Sequence, residues 1–264
     1  MPEGDTVWLA AQRLDAALSG HTVVSSDFRV PSLATVDLAG IEILEVVPRG
    51  KHLLTRLGDG RTLHTHFRMD GSWHLYRPGE AWRGGPDHTV RVVLTTDDRV
   101  AVGYRLPVID LLPTDDEARV VGHLGPDLLG PDWDASAATE RLLRDPGREI
   151  GDALLDQRNL AGMGTIYRAE TLFIARVNPF TPAAAVADLT GLVDTGRRLL
   201  LRNAGRASQC TTGDERRPHF VYGRARRQCY RCGTVIRSAE QGRAPYARTS
   251  YWCPACQPSA AVSD

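Results

Sequence analysis

Lysine is almost missing from this chain of 264 residues: among 32 basic residues only Lys51 is a lysine. Arginine in effect never gives up its proton in a protein, so any step that needs an amine able to do so has one side chain to draw on. Aromatics are sparse, at 6%. No apolar run is long enough to cross a bilayer, and the opening residues carry acid rather than base, so neither a membrane span nor a secretory signal is expected. Cysteine is scarce too. There are five, none before Cys210. An odd count without a secretory signal argues against a disulfide framework and for a reducing compartment. Repeats and low-complexity tracts are absent.

What is present is ordinary in amount and uneven in placement. Hydrophobic residues make up 42%, enough for a sizeable core, and the length suits one large domain or two ordinary ones. Net charge is zero, yet residues 1–140 carry −8 and residues 141–264 carry +8. The segment 197–248 holds 13 arginines against Asp214, Glu215 and Glu240. Such one-sided charge is the footprint of a nucleic-acid partner, the alternative being a solvated arginine-rich surface.

The apolar pattern divides the chain in the same way. Over 6–18, Val7, Ala10, Ala11, Leu14 and Leu18 recur at helical spacing, with Gly20 as the stop. From 21 to about 105 six short β-branched runs alternate with turn clusters such as 58–60 and 77–80, as in a sandwich or barrel. Residues 106–140 read as a loop-rich connection. Helical periodicity then covers 137–144, 149–157, 165–175 and 187–203. The fold class is α+β. The expected division is 1–120, 121–218 and 219–258, with 259–264 as a disordered tail.

Three constellations carry chemistry. Cys229, Cys232, Cys253 and Cys256 form two C-x-x-C pairs around a hairpin-like stretch, the pattern of a closed four-thiolate structural zinc site; a redox dithiol is the alternative. The hairpin is basic, and Tyr246, Arg248, Ser250 and Trp252 alternate onto one face able to enter a nucleic-acid groove. The stretch 154–170 reads as a helix ending near Gln157, a turn with Gly162 and Gly164, and a new helix near Thr165. The first amides of such a helix suit a phosphate, although glycine turns between helices are common. The third constellation is the N-terminus. A small second residue favours removal of Met1, leaving Pro2 as a secondary amine. α-Amino groups titrate near 8, far below lysine, and a helix start disfavours the protonated form further. Such an amine can form an iminium with a sugar carbon, with Glu3 as acid/base partner.

These pieces, in this order, resemble the formamidopyrimidine-DNA glycosylase and endonuclease VIII (Fpg/Nei) family. The matching stretches are 1–7 (MPEGDTV), 49–53 (RGKHL), 66–73 (HFRMDGSW), 124–129 (LGPDLL), 154–170, 221–224 (VYGR) and the cysteine segment 229–257. The resemblance implies an N-terminal helix with a β-sandwich, a helix–two-turn–helix domain and a zinc-finger hairpin. It implies a bifunctional DNA glycosylase/AP lyase that flips out the damaged base. Pro2 would attack the sugar, Glu3 act as acid/base, Lys51 donate a proton and assist the first elimination, and Arg248 hold phosphate and assist the second. Arg68, Met69 and His123 would contact DNA, Met69 by filling the gap left by the flipped base. One structural zinc is implied, with damaged DNA as partner, a monomeric state, a bacterial cytosolic location, no membrane and no small-molecule cofactor.

One position departs from the pattern. Where the family has an asparagine that grips phosphate, this chain has Thr165, which keeps a hydroxyl but loses the amide's reach. The stretch 205–220 is too short for the lesion-capping loop of the formamidopyrimidine branch, which favours oxidised pyrimidines; residues 66–71 rather resemble that branch. The competing readings are a damage-binding protein without catalysis, for which Thr165 speaks, and a zinc-ribbon adaptor, which leaves Pro2, Glu3 and Lys51 unexplained.

Overall fold

A computed structural model describes residues 2–259; Met1 and residues 260–264, on which the Met1-removal expectation and most of the expected tail fall, lie outside the described residues. The chain forms two compact units that divide between His123 and Leu124.

In the first unit, helix α1 (Gly4–Leu18) turns Val7, Ala11, Leu14 and Leu18 inward, the stripe its spacing predicts. Eight strands follow: β1 (Ser25–Phe28), β2 (Ile43–Arg49), β3 (His52–Leu57), β4 (Arg61–His66), β5 (Ser72–Tyr76), β6 (Val90–Thr95), β7 (Val100–Tyr104) and β8 (Val108–Pro113). They build two antiparallel four-stranded sheets, ordered β1-β6-β7-β5 and β2-β3-β4-β8. One core holds them together: Phe28, Val92, Leu94 and Ala101 from one sheet, and Ile43, Leu53, Leu63 and Ile109 from the other, with α1 packed in. That is a sandwich. α1 is pinned to β2 where Asp15 Oδ1 accepts from Val46 N–H at 2.7 Å.

Two strands escaped the sequence reading. β5 was not seen, and β8 lies inside the stretch read as loop, followed by a short helix α2 (Ala118–Val121). Both are edge strands. An edge pairs on one side only, so β8 tolerates Pro113 at its end and β5 manages without a β-branched run.

The second unit holds α3 (Ala135–Leu142), α4 (Ile150–Ala153), α5 (Thr165–Ile174) and α6 (Leu189–Asn203), then a hairpin of β9 (Arg237–Gln241) and β10 (Arg248–Trp252). Its core is aliphatic: Leu128, Leu142, Ile150, Leu154, Met163, Leu172, Leu192 and Leu200 are all buried. α4 stops at Ala153, short of the expected Gln157. The Asn159 side chain donates to Ala153 O at 2.9 Å, taking a carbonyl that a continuing helix would use. Asp156 is clamped by Arg148 at 2.9 Å and Arg158 at 2.7 Å, which hold its carboxyl well below the usual carboxylate range. Gln157 Nε2 donates to Leu155 O and Met163 O, and its Oε1 accepts from Gly162 N–H. Gly162, at φ +96°, makes the turn possible.

Candidate active site and nucleic-acid interface

Pro2 is half-buried two residues before the first turn of α1, and Glu3 beside it is completely buried as the N-cap. The positive end of α1 therefore lies next to the Pro2 nitrogen, the field that the neutral amine prefers. Lys51 stands in the tight turn between β2 and β3. Arg49 pairs with His52, so the loop has two residues, Gly50 and Lys51, and Gly50 at φ +59° supplies the left-handed first position. The fold thus sets the one lysine at the tip of a tight hairpin, and α1 packs against that hairpin's first strand.

Arg68 and Met69 occupy the turn between β4 and β5. Arg68 has φ +50°, and its N–H donates to His66 Nδ1 at 2.9 Å; the Met69 side chain is 55% exposed. An exposed methionine on a constrained turn can enter a stack of bases. His123 is exposed and lies 6.1 Å, ring to ring, from His52.

In the second unit, α5 begins at Thr165, as the sequence indicates, after an extended Gly164. Thr165 is buried, with 8% of its surface exposed. Arg248 opens β10 and is exposed, its guanidinium resting on the carbonyls of Ala247 (2.8 Å) and Pro245 (3.4 Å). The expected groove-facing row on this hairpin is only partly available. Tyr246 and Arg248 are exposed, but Ser250 is buried and donates to Gln241 Oε1 at 2.6 Å, and Trp252 packs edge-on against Phe180. Arg248, Ser250 and Trp252 alternate within β10 as expected, whereas Tyr246 precedes the strand; the tertiary contacts that claim Ser250 and Trp252 were invisible.

The four thiols meet. Their sulfurs lie within 4.8 Å of one another, with Cys229 to Cys256 at 4.0 Å and Cys232 to Cys253 at 3.4 Å. Four sulfurs about 2.3 Å from one zinc would stand about 3.8 Å apart, so the set fits a tetrahedral ion. A hydrogen bond from Thr234 helps bring Cys232 down to about 6, whereas burial pushes Cys256 up to about 12 and Cys253 up as well.

Sequence reasoning missed the residues that seat this module. Glu170, fully buried on α5, accepts from the N–H groups of Phe220, Val221 and Tyr222 at 2.7–2.9 Å and from the Thr211 hydroxyl at 2.5 Å. Buried Arg168 donates to Thr249 O at 2.6 Å, tying α5 to β10. Gln257 donates to Val177 O and accepts from Cys253 N–H. The available signal was an arginine and a glutamate, the only charged residues of α5, with no opposite charge three or four residues away in the sequence.

The basic segment behaves as its composition suggests. None of the 13 arginines of 197–248 forms an ion pair among the described residues, whereas Arg29, Arg56, Arg61, Arg148 and Arg158 all do. Positive charge left uncompensated over one segment is what a polyanion neutralises.

Histidines gather near Lys51. Burial holds His52 down to about 3 and His66 to about 4, with neighbouring positive groups adding to both. In the unfolded chain each titrates near 6.5. The unfolded state therefore binds more protons below that pH, and stability falls as the pH drops from about 6.5 towards 4. Denaturation followed by circular dichroism should give a lower unfolding free energy near pH 5 than near pH 7, and His52→Gln should flatten the slope. Equal slopes in the two proteins would contradict this assignment.

Comparison with known proteins gives one direction. The model of the formamidopyrimidine-DNA glycosylase N-terminal domain matches residues 1–106, and that of the formamidopyrimidine-DNA glycosylase H2TH domain matches residues 124–200. The chain is 56% identical to a probable endonuclease 8 2 of Streptomyces coelicolor, over 97% of this chain and 94% of the relative. It is 42% identical to the DNA-(apurinic or apyrimidinic site) lyase Nei2 of Mycolicibacterium smegmatis, over 97% and 99%. In fold it is similar to the Lactococcus lactis Fpg solved in complex with abasic-site DNA, with a TM-score of 0.81 and 23% identity, over 97% and 100%.

Proposed function

The chain belongs to the formamidopyrimidine-DNA glycosylase and endonuclease VIII family, and from that membership we propose how its residues divide the work. It is a bifunctional DNA glycosylase/AP lyase of base excision repair. The Pro2 nitrogen attacks the sugar C1′ as the bond to the damaged base breaks. The base departs with the bonding pair and takes a proton, and the nitrogen loses its own; the C1′–O4′ bond then breaks, the ring oxygen keeping its pair and taking a proton from Glu3, and the nitrogen lone pair closes the iminium of the opened sugar. Loss of the C2′ proton then expels the 3′ phosphate, and a second elimination expels the 5′ phosphate. Glu3 serves as acid/base at the sugar, Lys51 donates a proton and assists the first elimination, and Arg248 steadies the phosphate of the second. Arg68, Met69, His123 and Thr165 hold the DNA. Zinc is the metal that Cys229, Cys232, Cys253 and Cys256 suit, as a structural ion that seats the hairpin.

The observation that carries this reading is the placement of Pro2, the second residue, beside a fully buried glutamate at a helix start, with the one lysine of the chain on the hairpin which that helix packs against. Oxidised pyrimidines are the preferred lesions. The support is the stretch 205–220, too short for a capping flap and tied down where Thr211 N–H donates to Pro218 O and the Thr212 hydroxyl to Arg217 O. Duplexes carrying one thymine glycol or one 8-oxoguanine test this. The pyrimidine should be cut faster, leaving phosphate on both sides of the gap; faster cutting at 8-oxoguanine would overturn the preference.

Thr165 favours a second reading, a damage-binding protein with weak catalysis. Restoring one charge-assisted hydrogen bond is worth about 1.5–3 kcal/mol, so Thr165→Asn should tighten DNA binding by roughly ten- to a hundredfold. Unchanged affinity in fluorescence anisotropy would show that other groups already hold that phosphate.

A further inference from the structure

The outer face of the β2-β3-β4-β8 sheet carries a histidine cluster for which the chemistry above has no use. Strand register sets His52 opposite His66 and His64 opposite Asp110. All four point away from the sandwich core, because their neighbours Leu53, Leu63 and Ile109 point into it.

The hydrogen bonds fix the tautomers. His64 Nδ1 is 3.4 Å from Asp110 Oδ2, and His52 Nδ1 is 2.8 Å from His64 Nε2. An ionised carboxylate only accepts, so His64 carries its proton on Nδ1 and accepts at Nε2. His52 must then donate from Nδ1, which leaves the lone pair on its Nε2. That nitrogen makes no hydrogen bond among the described residues. The groups facing the ring are potential cations: His66 with its ring 4.6 Å away on β4, His123 at 6.1 Å, and Arg68 on the turn after β4, with Lys51 acting on His66 from the adjoining turn. Asp110 touches the cluster only through His64 and is itself more than half exposed. The ring is half-buried and neutral in this setting, so the arrangement lacks both a proton and an anion. A metal does not suit it, since among the described residues only the four cysteines are close enough together to share one.

We propose that His52 is a proton-linked phosphate contact: a DNA phosphodiester binds at this cluster together with one proton from solvent, which adds to the His52 Nε2 lone pair, stays there, and hydrogen-bonds a phosphate oxygen. No other bond changes. The new positive charge is shared through His64 with the Asp110 carboxylate, and the phosphate offsets the repulsion from Arg68 and Lys51. The proposal rests on the DNA-repair reading and adds a regulation to it, namely that DNA binding strengthens as the pH falls.

Calorimetry tests it with the full chain and a duplex containing a tetrahydrofuran abasic analogue, which cannot form an iminium. Titrations near pH 6.5 in buffers of different ionisation enthalpy should reveal uptake of up to about one proton per complex, and Kd should fall by up to about tenfold per pH unit below pH 7. His52→Gln should bind within a few-fold of the parent protein near pH 8, with no buffer dependence and no tightening at lower pH. Zero proton uptake by the parent protein would overturn the proposal, whether or not the variant folds. Undiminished uptake by a folded His52→Gln protein would overturn it as well. Failure of the parent protein to bind any damaged duplex would instead overturn the repair reading.

Discussion

Replacing Pro2 by glycine is expected to lower base excision on the order of a thousandfold or more while leaving DNA affinity within a few-fold, because the covalent route is lost and the contacts that hold DNA are not. A secondary amine forms an iminium that is permanently charged and keeps pulling electrons from the sugar. A primary amine forms an imine that must hold a proton to do the same. Proline also fixes φ, so the lone pair enters the site with little freedom to lose. Glycine gives up both advantages next to Glu3, whose buried carboxyl has been desolvated at some cost. Single-turnover excision at an oxidised pyrimidine, with affinity measured separately on the tetrahydrofuran duplex, distinguishes loss of chemistry from loss of binding. Undiminished excision would remove Pro2 as the nucleophile.

Removing the metal should have the next largest effect. The module around the cysteines has a small core, Val221, Cys229, Ile236 and Cys253, closed by Ala169 and Phe173 of α5. Two five-residue strands are marginal on their own. A structural zinc contributes about 10–16 kcal/mol in isolated finger peptides, far more than this core can replace. Cys253→Ala should therefore abolish tight metal binding and release β9, β10 and Arg248, while the sandwich unit, with its own core, stays folded. Strand cleavage should fall on the order of a hundredfold or more, since a phosphate contact and its positioning are lost together. Elemental analysis should find about one zinc per parent chain, and hydrogen exchange should show loss of protection over 237–252 in the variant. A variant free of metal that cut DNA at the parent rate would rule out this role.

Much of this was legible in the residues. The α1 stripe, the break after residue 203 and the two C-x-x-C pairs each rest on local physics, on periodicity or on ligand spacing, and each stands in the structure. Lys51 was conspicuous by composition, and the two-residue turn gives it its place. Less legible was whatever depends on a partner far along the chain. β5 and β8 are edges held by one neighbour each. α4 was cut short by Asn159, six residues beyond its end. Ser250 and Trp252 were taken from the DNA-facing row by Gln241 and Phe180, and Glu170 reaches fifty residues ahead to gather Phe220, Val221 and Tyr222. The His52–His64–Asp110 chain follows from strand register, which alternation alone does not fix.

Borohydride trapping puts the covalent mechanism to the test most directly. The mature chain, with loss of Met1 checked by mass, is mixed with duplexes carrying one abasic site or one oxidised pyrimidine, and any iminium is reduced to a stable bond. A protein–DNA crosslink that maps to Pro2 is the expected result. A chain that binds the same duplexes yet gives no crosslink on either lesion would contradict the mechanism and leave a damage-binding protein, with Thr165 the first residue to examine.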